Sequence, residues 1–248
     1  MTRYLAVVLG LLCATSAAAQ TLSLSAGGWN YRVAGEVTRA GQTQDLDDDL
    51  DVQGRRRSFL AAELRPGEYG PGWLPDLVLR RTRIDAAGQR TVSGSVSVGP
   101  VPIGEESGTA FVDADLEDRE LTLRYPYRIR SLEAVAGISV KQLRGPVTVR
   151  NDQDSQASTE QLDELYPQLH AGLRWQALPR LRLGLEGGWI SAEGNRADEV
   201  RVEVAAPLLA GLGLVAGWQQ KRYDLRSGDS QYDARLSGLF VGLLLQIE

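Results

Sequence analysis

Residues 180–190 read RLRLGLEGGWI, and their side chains alternate between two chemical types. The odd positions from Leu181 to Trp189 are apolar or glycine, whereas the even positions from Arg180 to Gly188 are charged or glycine. Successive side chains of a β-strand point to opposite faces of the sheet, so a period of two predicts a strand with one apolar and one polar face.

Nine further segments show the same alternation, and helical periodicity is scarce beyond residue 20. The ten segments cover residues 21–36, 56–65, 74–85, 108–126, 131–143, 164–177, 180–192, 198–206, 210–224 and 231–247. Their connections alternate between long polar and short ones, which is typical of an up-and-down meander. We therefore predict an all-β fold: a single antiparallel up-and-down barrel of about ten strands, within a range of 8–12. Short turns would face the periplasm, and longer loops at 37–55, 86–107 and 144–163 would be extracellular.

Three features favour a transmembrane barrel, with apolar side chains outward, over a soluble periplasmic barrel, which stays an alternative. The segments reach ten to fifteen residues, enough to cross a membrane when tilted. The polar faces are rich in glycine, which suits a crowded lumen. Tyrosine and tryptophan occur near segment ends, as an interfacial girdle requires. The predicted girdle comprises Trp29, Tyr31, Tyr125, Tyr127, Trp175, Trp189, Trp218 and Tyr223.

The first nineteen residues have the three parts of a secretory signal peptide. Arg3 precedes an apolar run at 5–14, and Ala17 to Ala19 fit a cleavage site. We therefore predict that 1–19 is a signal peptide and 20–248 the mature barrel, located in a bacterial outer membrane. Loss of Arg3 takes the formal net charge from −5 to −6, which argues against a general nucleic-acid binder. The single cysteine, Cys13, lies in the signal, which excludes a disulfide scaffold.

Short motifs along the mature chain carry a resemblance. They are Gly27-Gly28-Trp29, the acidic stretch 45–51, LPDL at 74–77, Arg124-Tyr125 and DELYP at 163–167. In this order the chain resembles a family of small Gram-negative outer-membrane proteins with a Gly-Gly in the first strand. The resemblance implies a location and a fold, and no activity.

The resemblance also implies partners: outer-membrane lipid, lipopolysaccharide and, during biogenesis, the barrel assembly machinery. We expect a monomer. Barrels of this class typically end on an aromatic residue, whereas this chain ends on Ile247 and Glu248.

The adjacent glycines Gly27 and Gly28 pose a problem of parity. Before them, Leu22, Leu24 and Ala26 occupy even positions. After them, the apolar residues Trp29, Tyr31 and Val33 occupy odd positions. A β-bulge at the pair would shift the phase by one and keep all six side chains on the lipid face. The alternative is that a lumen-facing glycine makes room for a neighbouring side chain.

The polar faces of neighbouring strands carry charges of both signs. We predict a lumen charge network of Arg174, Arg180, Arg182, Glu186, Glu199, Arg201, Glu203, Glu133 and Lys141. Ten strands enclose a narrow lumen, and arginine–carboxylate pairs would fill it. This filling favours a structural or surface-interaction role, with a porin-like small-solute channel as the alternative.

A second set of arginines lies on the lipid-facing side of the strands, beyond the apolar residues of that side. We expect Arg56, Arg81, Arg83 and Arg222 to contact lipopolysaccharide phosphates, because guanidinium groups match phosphate geometry. The acidic run at 45–51 lacks the glycine and the terminal glutamate of an EF-hand loop, so we predict no metal site.

His170 is the only histidine and falls on the lumen parity. Proteolytic and lipid-modifying barrels need a histidine next to a nucleophile or carboxylate. No serine or aspartate stands at a spacing that demands such pairing. We therefore predict no catalytic residues, no cofactor and no enzymatic activity, with a barrel hydrolase as the alternative.

Overall fold

A computed structural model gives the architecture of the chain. It describes residues 21–39, 42–48, 51–66, 74–92, 96–98, 101–103, 108–151, 157–192, 195–209, 211–227 and 230–247. The predicted signal peptide and Glu248 lie outside these ranges. Within them, no helix is long and apolar enough to cross a membrane.

The described residues form strands connected by turns. The strands are β1 (Thr21–Arg39), β2 (Gln42–Asp45), β3 (Gln53–Gly54), β4 (Arg57–Arg65), β5 (Asp76–Val92), β6 (Val96–Val98), β7 (Val101–Ile103), β8 (Gly108–Ile129), β9 (Leu132–Asn151), β10 (Ala157–Leu178), β11 (Leu181–Ala192), β12 (Asn195–Leu209), β13 (Leu212–Ser227) and β14 (Ser230–Ile247). Ten of them follow each other around a barrel in the order β1, β4, β5, β8, β9, β10, β11, β12, β13 and β14.

The barrel is closed because its last strand pairs with its first. β14 runs antiparallel to β1 from the pair Leu22 and Ile247 to the pair Arg39 and Ser230. Every other neighbouring pair in the barrel is also antiparallel. These pairings confirm the predicted ten-stranded antiparallel barrel.

Several strands are longer than the sequence pattern predicts. β5 extends to Val92 and β9 to Asn151, so much of the predicted loops at 86–107 and 144–163 is paired strand. Continuous strand pairing joins these extensions, and polar side chains also meet across them, as in the contact of 3.1 Å between the Oγ1 atoms of Thr148 and Thr159. At the opposite end the connections at 130–131 and 179–180 are short, as predicted.

A belt of apolar side chains surrounds one part of the barrel on its outside. It includes Leu24, Leu60, Leu79, Leu121, Ile138, Leu169, Leu185, Val202, Leu214 and Val241. The side chains between them point inward and are largely polar, as with buried Gln168, His170 and Arg174 on β10. Apolar outside and polar inside is the arrangement of a transmembrane barrel, as predicted. We call this part the belt section.

The barrel continues beyond the belt at the end away from the short turns, and there its polarity is reversed. On β1, Trp29, Tyr31 and Val33 are buried inside, whereas Asn30 and Arg32 are exposed outside. We call this part the collar section. Its interior is an apolar core of Trp29, Tyr31, Val33, Leu46, Val52, Phe59, Ile84, Ala86, Leu143, Val149, Tyr166, Ala197, Tyr223, Leu236 and Phe240.

The predicted bulge at Gly27 and Gly28 is wrong. The pairing of β1 with β14 and with β4 passes through both glycines without a shift of register. The apolar residues change parity because β1 leaves the belt section and enters the collar section, where the apolar face is the inner one. The girdle prediction is wrong for the same reason at Trp29, Tyr31 and Tyr223, which are buried inside the barrel.

The glycine pair instead makes room for neighbouring groups, as in the alternative stated above. A Cβ atom on Gly27 would lie 2.8 Å from Cε1 of Phe59 and 2.1 Å from the carbonyl oxygen of Val241. A Cβ atom on Gly28 would lie 2.9 Å from Nε of Arg56. Gly27 therefore permits a close approach of the β14 backbone and the Phe59 ring that a side chain would block. At Gly28, in contrast, the exposed Arg56 side chain over the glycine can move aside.

Candidate functional site: the charged lumen

The lumen of the belt section contains buried or half-buried charges of both signs. Eight are basic and eight are acidic, and together we call them the lumen network. Its members are Arg65, Arg80, Arg124, Lys141, Arg174, Arg182, Arg201 and Lys221 with Glu63, Asp76, Asp118, Glu120, Glu133, Glu186, Glu199 and Glu203. Their positions follow from strand alternation, because each lies on the parity opposite to the apolar belt.

Glu186 on β11 is the most densely paired carboxylate of this network. Its Oε1 atom lies 2.7 Å from Nη1 of Arg124 and 2.7 Å from Nη2 of Arg174. Nη2 of Arg80 lies 3.8 Å from Oε2 of the same carboxylate. Arg174 also reaches Glu63 at 3.0 Å, so arginines from three strands share two acidic partners. Such charge-assisted bonds are the stronger ones in proteins.

Two ion pairs cross the whole width of the lumen. Arg80 on β5 lies 3.4 Å from Glu199 on β12, and these strands are five positions apart in a ring of ten. Lys221 on β13 pairs with Asp118 on β8, which is also five positions away, and the hydroxyl of Tyr223 donates to Asp118 at 3.0 Å. Side chains from opposite sides of the barrel are therefore in direct contact.

Little space is left between these side chains. One cavity next to Lys141 and His170 measures about 10 Å³, and another next to Arg124 and Glu203 measures about 50 Å³. A buried water needs roughly 10–15 Å³ of such volume, so these cavities suit isolated waters.

The network continues directly into the apolar core of the collar section. The guanidinium of Arg201 stacks over the ring of Phe240, with its carbon 3.8 Å from the ring centre, and approaches Phe59 at 5.7 Å. The two rings meet edge to face, with centres 5.7 Å apart. This cation–π contact places a charged side chain against an apolar layer.

Eight of the nine predicted network residues lie in the lumen network. Arg180 does not: it lies in the exposed turn at 179–180, because β10 has ended and the alternation no longer directs its side chain inward. The other eight members of the network were not among these nine residues, and they include Glu63, Arg80, Asp118 and Lys221. All four alternate with the lipid-facing apolar residues of their own strands. Applying the period of two to every strand therefore assigns them to the lumen.

His170 lies in the lumen, where its Nε2 atom is 3.9 Å from Oε2 of Glu186. The described residues show no hydrogen bond from His170 to a serine, threonine or cysteine, and no cluster of potential metal ligands. Its neighbours are the arginines and carboxylates of the lumen network.

The four arginines predicted to contact phosphate lie on the outside of the barrel. Arg81 pairs with Glu117, and Arg222 pairs with Asp233 through Nη2 at 2.6 Å. Arg56 lies over Gly28, and Arg83 is exposed. Glu117 stands above the belt, and its hydrogen bond from Arg119 lowers its pKa to about 2, so it is ionised at physiological pH. Phosphate contact itself stays a prediction.

Comparison with known proteins supports the fold. No protein-family model and no curated protein matches the sequence. The outer membrane protease OmpT of Escherichia coli aligns over 94% of this chain and 100% of its own, with 8% identity and a TM-score of 0.51. The translocator domain of the autotransporter NalP of Neisseria meningitidis aligns over 98% and 96%, with 11% identity and a TM-score of 0.47. At these identities the similarity concerns the barrel fold alone.

Proposed function

We propose that the chain is an outer-membrane barrel with a closed lumen and a structural or surface-interaction role, and that it does not conduct solutes. The observation that carries this proposal is the pair of contacts across the lumen diameter. A nitrogen–oxygen distance of 3.4 Å between Arg80 and Glu199 leaves no passage for a solute between them.

The energetics of the lumen network support a fixed filling. Removing one partner from a buried ion pair leaves an uncompensated charge and costs about 3–5 kcal/mol. Glu186 has Arg124 and Arg174 within hydrogen-bond distance, and Glu199 has Arg80 and Lys141 as partners. Opening a path would separate several of these pairs at once.

The location is part of the same proposal. Apolar side chains surround the belt section, and removing them from water is favourable by about 25 cal/mol per Å². Cell fractionation with a gel of boiled and unboiled samples tests the location. We expect the chain in the outer-membrane fraction, with a different mobility before and after boiling. Recovery among soluble periplasmic proteins with one mobility would contradict the location.

Conductance of the purified protein in planar bilayers tests the closed lumen. We expect no conductance steps above those of a protein-free bilayer. The double variant Arg80→Ser with Glu199→Ser removes one contact across the diameter, and the matched control, Arg196→Ser with Asp198→Ser, removes an ion pair on the outer surface. The proposal is contradicted if the unaltered protein gives discrete conductance steps, and if the size of these steps changes in the first variant but not in the second. Such a result would establish a channel.

A further inference from the structure

A concave apolar trough of about 990 Å³ lies on the outside of the belt section. Its walls include leucines of seven strands, among them Leu24, Leu60, Leu79, Leu121, Leu165, Leu212 and Leu243. The trough passes over β1 and over β4, the shortest strand of the barrel, where Ala26 on β1 and Ala62 on β4 present small side chains. Its volume is at the upper end of the roughly 300–1,000 Å³ typical of ligand sites.

The stems of two arginines line the same trough, whose lining is otherwise almost entirely apolar, and on their own strands these arginines lie on the collar side of Leu79 and Leu121. Arg81 on β5 and Arg119 on β8 stand directly opposite each other in the register. Like charges in directly opposed positions of a sheet destabilise it unless an anion is shared between them. Glu117 is that anion: it pairs with Arg81, and it accepts from Nε of Arg119 at 2.8 Å.

Two carboxylates lie near these arginines. One is Glu117, which also stands opposite Arg83 in the register. The other is Asp163, which lies near Arg119. The three guanidinium groups outnumber them. The side chains of Arg81 and Arg119 remain substantially exposed, and Arg83, on the same outward parity, adds another positive charge. Glu117 engages the Nε edge of each group, and further N–H donors point away from it. The apolar trough therefore adjoins a group of net positive charge, and this combination complements an amphiphile with an anionic head.

We propose that this trough binds a phosphate-bearing membrane lipid, with acyl chains between the leucines and the phosphate on Arg81 and Arg119. Bidentate hydrogen bonds from the guanidinium groups would bind the phosphate of the lipid, and burial of apolar surface would bind its acyl chains.

A second copy of the chain fits the trough less well than a lipid. In a two-fold dimer each copy offers the same surface patch to the other. Two concave patches leave a void between them, and the arginine pairs of the two copies would face each other. The lipid has the complementary shape and charge.

Native mass spectrometry of the purified barrel in a non-ionic detergent tests the site. The probes are dimyristoyl phosphatidic acid, dimyristoylglycerol with the same chains and no phosphate, and inorganic phosphate without chains. We expect one phosphatidic acid to bind, with dimyristoylglycerol about tenfold weaker and phosphate not retained. Equal binding of both lipids, or retention of phosphate alone, would contradict the proposed head contact.

Three variants separate the site from general lipid association. We expect the double variant Arg81→Gln with Arg119→Gln to lose about tenfold in affinity for phosphatidic acid. Ala62→Phe fills the trough and should also weaken binding. The control Arg196→Gln removes an outward, ion-paired arginine that does not line the trough, and this variant should bind as the unaltered protein does. If the control loses as much affinity for phosphatidic acid as the double variant, the proposal is overturned. It is also overturned if the protein without lipid is a dimer and Ala62→Phe dissociates that dimer.

This proposal rests on the membrane location and is independent of the closed lumen. Conductance tests the lumen, and lipid binding tests the trough, so either can fail alone.

Discussion

The belt and collar sections use the same strands with opposite polarity. In the belt section, leucines point outward and the lumen network points inward; in the collar section, Trp29, Tyr31 and their neighbours point inward and polar residues point outward. The register of β1 is unbroken between the two. The alternation is a property of the backbone, whereas the choice of apolar face depends on whether lipid or water lies outside.

The largest effect should come from the core of the collar section. Trp29 is 1% exposed and its ring centre lies 4.4 Å from that of Tyr31, so Trp29→Ala leaves a cavity and should lower the free energy of unfolding by about 3–5 kcal/mol. Trp189→Ala is the matched control, because Trp189 is 49% exposed on the outside. Urea unfolding in detergent micelles, followed by the mobility of unboiled samples, measures both. An equal loss in both variants would mean that the collar interior is not a packed core.

A slightly smaller effect is expected in the lumen of the belt section. Glu186→Gln removes the charge between Arg124 and Arg174 and should cost about 3 kcal/mol of unfolding free energy in the same assay. Asp198→Asn provides the comparison, since its pair with Arg196 is on the outer surface and such pairs contribute about 0–1 kcal/mol. If Glu186→Gln leaves the free energy of unfolding unchanged, ion pairing does not stabilise the lumen, and water would fill it instead.

The outward faces of the two sections should also respond differently to one added charge. Val202→Arg places a charge on the apolar belt and should cost about 2 kcal/mol, within the range found for lipid-facing positions. Asn30→Arg makes the same change on the exposed outer face of the collar section and should alter stability by less than about 0.5 kcal/mol. Unfolding in lipid vesicles compares the two. If the two substitutions lower the free energy of unfolding by similar amounts, Asn30 lies within the membrane and the membrane boundary is elsewhere on β1.

A loss smaller than that of Val202→Arg is expected for an ion pair on the outer surface of the collar section. Arg222→Gln removes an ion pair with Asp233 in which both side chains are about one-third exposed. Partly solvated pairs contribute about 0–1 kcal/mol, and salt screens them. We expect a change of less than about 1 kcal/mol that shrinks further in 1 M salt. A larger loss that salt leaves unchanged would mean that lipid or protein shields this pair.

The sequence predicts the barrel well because alternation and turn spacing are local properties. Arg174, Glu186 and Lys141 could be assigned to the lumen by counting parity alone. Parity cannot show that Arg80 meets Glu199, since that contact depends on the number of strands between them. Parity also cannot locate the change of polarity at Gly27 and Gly28, because the position of the membrane boundary along a strand cannot be derived from the alternation. For this reason the prediction that the apolar residues after the glycine pair face lipid is wrong, and so is the assignment of Tyr223 to the girdle.

The contacts across the lumen have a consequence for the rate of unfolding. Arg80 and Glu199 are 119 positions apart in the chain, and Lys221 and Asp118 are 103 apart. Neither contact can form until strands on both sides of the ring have assembled, so both are late events in folding. Interactions absent from the transition state slow unfolding and leave the folding rate nearly unchanged. These pairs therefore extend the lifetime of the assembled barrel, so its persistence is set by kinetics as well as by equilibrium stability.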